Sequence, residues 1–275
     1  MKNKRIKVLS SILCIAVIIL AVCIYIDNNT FKVTTYIEKN TSYDALNNVT
    51  FLQISDLHNQ EFGKNNEDLI KTIDDIKPNY IFMTGDMVSA EDNDFNGFYH
   101  LVDGIASKYQ CFYVVGNHEL GLSKKKYNEM IDYMEKHGII FLDNKAFSID
   151  KDIFIYGLNY SSKFYLNKKY TKKEMDKDLG VANDDAFNIL LAHNPNDFDT
   201  YNEWGADLVF SGHTHGGMIS LFGIGIISPN RNLFPEYDGG EYTINDSIMI
   251  NSKGMSRGHI GFRLFNRPEL IVVKY

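Results

Sequence analysis

The sequence predicts an α/β domain of two packed β-sheets with helices on their outer faces, preceded by one membrane-spanning helix. Three observations point there. From residue 48 onward, short apolar runs of strand length alternate with segments of helical periodicity. Five short polar motifs each fall just past a strand-like run, where open α/β sheets gather ligands. Residues 8–26 form an uncharged, mostly apolar run behind Lys2, Lys4, Arg5 and Lys7.

Nineteen residues rising about 1.5 Å each nearly span a hydrocarbon core of about 30 Å. The basic cluster before them is expected to stay in the cytoplasm, which puts the rest of the chain outside. Residues 1–7 are therefore read as a cytoplasmic tail, 8–26 as a single-pass anchor, 27–47 as a polar stalk, and 48–275 as the working domain. A cleaved signal peptide is one alternative, although its apolar region is usually shorter and no small-x-small site follows cleanly here. A lipoprotein signal is another: Leu20-Ala21-Val22-Cys23 resembles a lipobox, with Val22 where a small residue is expected.

The net charge is −7, and −11 once the four N-terminal cations are set aside. So acidic a domain is not expected to bind nucleic acid non-specifically, nor to be drawn strongly to an anionic surface. Cys14 and Cys23 lie in the apolar run, which leaves Cys111 without a disulfide partner in the domain. Cys111 opens an apolar run and reads as core.

In chain order, residues 51–55 read as a strand ending at Asp56. Residues 66–76 read as a helix with Leu69, Ile70, Ile73 and Ile76 on one face. A strand over 80–84, a helix over 95–107 and a strand over 111–115 follow, and then an amphipathic helix over 124–137. Residues 146–149 and 153–156 suggest a hairpin turned at Asp150-Lys151-Asp152. The stretch 161–186 is rich in Lys and Asp and reads as a surface helix with loops. Strands are expected over 187–192 and 207–211 with a helix over 197–204 between them, and the β-rich remainder closes with residues 270–273.

The five motifs are Asp56-Leu57-His58, Gly85-Asp86, Gly116-Asn117-His118-Glu119, His193-Asn194-Pro195 and Gly212-His213-Thr214-His215. Any one alone is more readily a turn or a satisfied histidine. In this order, each after a strand, they supply the ligands for two divalent cations. Asp56 and His58 can turn to one ion, and Asp86 can bridge two. Asn117 offers a carbonyl oxygen, while His193, His213 and His215 offer ring nitrogens. Oxygen and nitrogen donors without thiolate suit Mn²⁺, Fe or Zn²⁺. Two such ions about 3.5–4 Å apart activate water and clamp a phosphoryl group for in-line displacement.

This ordered set resembles the calcineurin-like metallophosphoesterase superfamily over residues 48–275. The apolar N-terminus, His193-Asn194-Pro195 and the tail with Asn266-Arg267-Pro268-Glu269 are most similar to its membrane-anchored bacterial branch, the YkuE- and YaeI-like phosphodiesterases. Protein Ser/Thr phosphatases follow their Gly-Asp with Asp-Arg-Gly, where this chain has Met87-Val88-Ser89. The resemblance implies a four-layer α-β-β-α sandwich of two mixed sheets. It implies one metal on Asp56, His58, Asp86 and His215 and a second on Asp86, Asn117, His193 and His213, Mn²⁺ foremost. It also implies that His118 is a catalytic group over the phosphate rather than a ligand. The expected function is hydrolysis of phosphodiesters or phosphomonoesters of lipid or cell-wall origin, at the outer face of the membrane, by water activated between the metals. A pyrophosphatase acting on a nucleotide-linked lipid of the UDP-diacylglucosamine type and a non-catalytic binding module are the alternatives.

Other residues are open in sequence. Arg257 and His259, in the glycine-punctuated stretch 253–261, either reach phosphate or belong to a turn. Asn194 either faces the site or starts a turn. Residues 163–177 make either a basic lip or a solvated helix. His100 and His137 are expected at the surface.

Overall fold

Strand and helix alternate through the computed structural model, which describes residues 2–38, 42–161, 165, 169–217, 219–221, 224–228, 233–257 and 261–275. Helix α1 (Lys2–Asn29) leads into β1 (Lys32–Ile37) and β2 (Thr50–Ile54). Then come α2 (Glu67–Ile76), β3 (Tyr80–Thr84), α3 (Asn96–Ile105), β4 (Gln110–Val114), the short α4 (Asn117–Leu120), α5 (Lys124–Lys136) and β5 (Ile140–Phe141). The second half holds β6 (Lys145–Asp150), β7 (Ile153–Leu158), α6 (Lys172–Leu179), β8 (Phe187–Ala192), α7 (Phe198–Trp204) and β9 (Leu208–Ser211). A hairpin of β10 (Ile219–Leu221) and β11 (Ile224–Ile227) precedes β12 (Gly240–Ile244), β13 (Ser247–Asn251) and β14 (Glu269–Lys274).

Two six-stranded mixed sheets result, ordered β1-β14-β2-β3-β4-β5 and β12-β13-β9-β8-β7-β6. β2, β3 and β4 run parallel, as do β7, β8 and β9. Their near-continuous apolar sequences are buried on both faces, as central parallel strands require. Phe51, Phe82 and Phe112 from one sheet meet Ile189, Phe210 and Ile250 from the other in the core between them. Phe82 lies edge-on to Phe210 at 5.0 Å. A second core packs α2, α3 and α5 on the outer face of the first sheet, and a third packs α6 and α7 on the second. The expected four layers are present, and Cys111 is a buried core residue as expected.

Most elements lie within a residue or two of their expected bounds, but the stalk does not. Residues 32–37 form β1, paired parallel with β14 at the edge of the first sheet, and Leu46 is buried in the core between sheets. The polar, β-branched run Lys-Val-Thr-Thr-Tyr-Ile alternates in burial as a one-sided edge strand does, and its polarity disguised it. The expected stalk is thus largely part of the domain.

Helix α1 includes one stretch, Lys4–Asn29, long and apolar enough to cross a membrane. Its C-terminal end is docked. Asn28 donates from Nδ2 to the Arg263 carbonyl at 2.9 Å and accepts at Oδ1 from Arg263 N at 2.8 Å.

Candidate metal centre

The five motifs converge at the C-terminal ends of β2, β3, β4, β8 and β9. Five of their side chains are turned inward by one backbone device. Asp56, His58, Asp86, His213 and His215 all have left-handed φ, between 46° and 71°. That conformation is uncommon for residues with a Cβ and costs about 1–3 kcal/mol each, so the surroundings must hold it. The neighbouring hydrogen bonds do so. Asp56 N donates to Gly85 O at 3.0 Å and His58 N to Asp86 O at 3.0 Å. His213 N donates to the Asp56 carboxylate at 3.1 Å, and His118 N to Asp86 Oδ1 at 2.8 Å.

Two motif glycines are set by proximity. A Cβ on Gly116 would overlap Asp86 Oδ1, and one on Gly212 would overlap Ser55 Oγ and Asp56 Oδ2. Glycine at these points lets one strand end approach the carboxylate of the next.

The donor atoms gather into three overlapping groups, each within 4.8 Å: Asp56, His58 and His215; His58, Asp86 and His118; and Asp86, His193 and His213. His215 Nε2 lies 3.2 Å from Asp56 Oδ1 and 3.3 Å from His58 Nε2. His193 donates from Nδ1 to Thr84 O at 2.7 Å, which aims its Nε2 at Asp86 Oδ2, 3.1 Å away. That nitrogen is buried and, beyond this close approach to Asp86, has no hydrogen-bond partner among the described residues. Asn117 Oδ1, at the start of α4, is likewise buried and without one.

The charges are tightly balanced. Burial pushes Asp56 up to about 6 despite the pull of His193. Burial also opposes ionisation of Asp86, yet His193, His58 and His118 hold it well below the usual carboxylate range. Burial works against a charged His193, but Asp86 and Asp56 raise it to about 10. His213 falls to about 3 through burial and the neighbouring His193, and His215 also falls well below its ordinary value. The two carboxylates therefore favour positive charge beside His193, and His213 and His215 stay neutral with lone pairs to offer. This donor set fits hard or borderline divalent cations.

His118 is 7% exposed and sits edge-on to His58, with ring centroids 4.5 Å apart. Its Nδ1 accepts from Ala90 N at 3.2 Å, which assigns the proton of the neutral ring to Nε2.

Several contributors were not singled out in sequence. Glu119 accepts from Gly116 N at 2.8 Å, Asp86 N at 2.9 Å and Val88 N at 3.2 Å, tying two motif loops together. Burial and Asp86 push it up to about 7. Its only sequence signal is its place at the end of the third motif. Tyr165 has its ring centroid 5.3 Å from His213 and a buried hydroxyl with no hydrogen-bond partner among the described residues. Arg263, fully buried, donates to the carbonyls of Ser256, Lys253, His215 and Asn266. Nothing local in the sequence marks it.

Arg257 turns away from the cluster. Its Nε donates to Asn28 O at 2.9 Å and its Nη2 to Asn29 Oδ1 at 3.0 Å. Asn194 starts a turn, accepting from Asn196 N at 3.1 Å. His100 pairs with Glu61 at 2.7 Å and His137 with Asp103 at 3.4 Å, and neither belongs to the groups of gathered donor atoms. His259 and Lys163 lie outside the described residues, and residues 172–179 of the Lys-rich stretch form α6 with one buried residue, Met175.

A two-sheet sandwich with Asp, Asn and His donors at its strand ends defines the class. Residues 49–217 match the model of the calcineurin-like phosphoesterase family, and the chain belongs to that family, one of metal-dependent phosphoester hydrolases. An uncharacterized metallophosphoesterase of Aquifex aeolicus is 28% identical over 199 residues, covering 72% of each chain. The uncharacterized metallophosphoesterase YkuE of Bacillus subtilis is 24% identical over 230 residues, covering 80% of this chain and 77% of that one. A dimetal phosphatase from Danio rerio has a similar fold, with a TM-score of 0.50 at 10% identity over 82% of this chain and 99% of that one.

Proposed function

We propose that the chain is a membrane-anchored phosphodiesterase or phosphomonoesterase with two divalent cations, its domain on the outer side of the membrane. Asp56, His58, Asp86 and His215 would hold one ion, and Asp86, Asn117, His193 and His213 the other. The observation that carries this reading is the pair of buried polar atoms, Asn117 Oδ1 and His193 Nε2, left without hydrogen-bond partners among the described residues, with His193 Nε2 3.1 Å from Asp86. Bound there, two divalent cations supply charge neutralisation for a phosphoryl group and lower the pKa of water.

The chain's own residues do the rest. The Asp86 carboxylate is fixed by the His118 amide, and Glu119 holds the loops that carry Asp86 and Asn117. Nε2–H of His118 is the donor to the departing oxygen, with Ala90 N keeping the proton on that nitrogen. Orientation rests on the four basic residues before the apolar run. An acidic domain outside the cell fits phosphate esters of lipid or cell-wall origin and no nucleic acid.

Full-length protein in detergent micelles with Mn²⁺ should cleave an aryl phosphate diester or the matching monoester, with turnover lost in Asp86→Asn. Near-wild-type turnover by Asp86→Asn would sink the reading.

A further inference from the structure

After residue 29, nine large apolar side chains are exposed among the described residues, and six of them are Leu221, Ile224, Leu233, Phe234, Phe262 and Phe265. The segments bearing these six are knitted together. β10 pairs with β11, Ile219 bridges to Leu264, and Ile227 bridges to Leu233. Soluble surfaces scatter such residues singly, whereas contiguous ones mark an interaction face.

What lies beside this face is the end of the apolar helix. Cys23 and Ile26 of α1 share with Phe265 a cavity of about 380 Å³ between helix and domain. Its other wall is polar and carries Asp27, Lys32, Lys253 and Arg267; Lys32 is paired with Glu269 at 3.2 Å, and Arg267 Nε is buried and lacks a hydrogen-bond partner among the described residues. An apolar wall beside a polar one with a net excess of basic groups follows the order of a lipid's acyl chain and phosphate. The helix is not a loose tether here, because Asn28 and Asn29 are hydrogen-bonded to Arg263 and Arg257.

We infer that this face is a second membrane contact: the β10–β11 hairpin and the 262–265 loop seat in the headgroup and upper acyl region of the bilayer that α1 crosses. The inference rests on the reading of α1 as an anchor. Its consequence for the reaction comes through Asn266, which lines the cavity and donates to His215 O at 2.7 Å. The metal-ligand cluster is then held at headgroup level, and its substrates are phosphate esters presented at a membrane surface.

The test is quenching by brominated acyl chains. Full-length protein is placed in nanodiscs of phosphatidylglycerol and phosphatidylethanolamine, with or without bromine on the chains. The buried Trp204 is a constant background. Leu13→Trp reports on α1, Phe265→Trp and Leu233→Trp on two segments of the face, and Val181→Trp on an exposed site elsewhere in the domain. The expected result is loss of the added emission for Leu13→Trp, Phe265→Trp and Leu233→Trp, and none for Val181→Trp. Quenching of Leu13→Trp alone would overturn the inference while leaving the anchor intact. Equal quenching of Val181→Trp would overturn it too, since no face would be preferred. An unquenched Leu13→Trp would defeat the anchor reading and the inference together.

Discussion

Replacing Arg263 by Met keeps the apolar stem of the side chain and removes its guanidinium. That group has no solvent exposure and donates at 2.5 Å to Ser256 O, 2.6 Å to Lys253 O, 3.3 Å to His215 O and 3.4 Å to Asn266 O. The two short bonds dominate. Hydrogen bonds from a charged donor are worth about 1.5–3 kcal/mol each, and the carbonyls left behind are buried without replacement. Removing a buried charge returns part of that, since burial already lowers Arg263 to about 10. The net loss should be about 3–4 kcal/mol, or about 6–15 °C in Tm for a domain of this size. Unfolding of the full chain in detergent, followed by Trp204 fluorescence, measures it. Arg263→Lys should recover part of the loss, because an ammonium reaches fewer of the four carbonyls. A Tm within about 2 °C of wild type for Arg263→Met would refute the idea that this side chain ties the tail to the His215 loop.

Three further outcomes follow from the same geometry. Gly116→Ala forces a Cβ onto Asp86 Oδ1, and misplacing that carboxylate should cost about 10²-fold in kcat/KM with the circular dichroism spectrum unchanged. His118→Asn should lower kcat by about 10²–10⁴ while metal content measured by mass spectrometry stays at the wild-type value, separating a proton donor from a ligand. Phe82→Ala empties the space between the sheets beside Phe210 and Phe112, and urea unfolding should register a loss of about 3–5 kcal/mol.

That the motif side chains gather at one end of the sheets was legible in the sequence for a physical reason. Candidate ligands at strand ends are local signals, because a buried apolar run followed at once by Asp or His already fixes where the side chain must emerge. Asp56 after β2, Asp86 after β3 and His193 after β8 are of this kind. What stayed hidden depends on distant partners. β1 reads as polar linker until its neighbour β14, more than two hundred residues on, supplies the other half of the pairing. The reciprocal bonds of Asn28 and Arg263 span the same separation. Glu119 was visible as a residue, but its task of joining the Asp86 and Gly116 amides appears only when β3 and β4 lie side by side. The left-handed backbone at Asp56, His58 and His215 has no local signal either, since only Asp86 and His213 of the five follow a glycine.

The most direct test of the central claim is metal stoichiometry measured together with turnover. Full-length protein purified in detergent and equilibrated with Mn²⁺ should hold about two ions per chain, as a binuclear site requires. Asp86→Asn, lacking the carboxylate placed between the two donor groups, should retain fewer ions and lose phosphoester hydrolysis. No stoichiometric metal in the wild type, or unchanged binding and turnover in Asp86→Asn, would contradict the account.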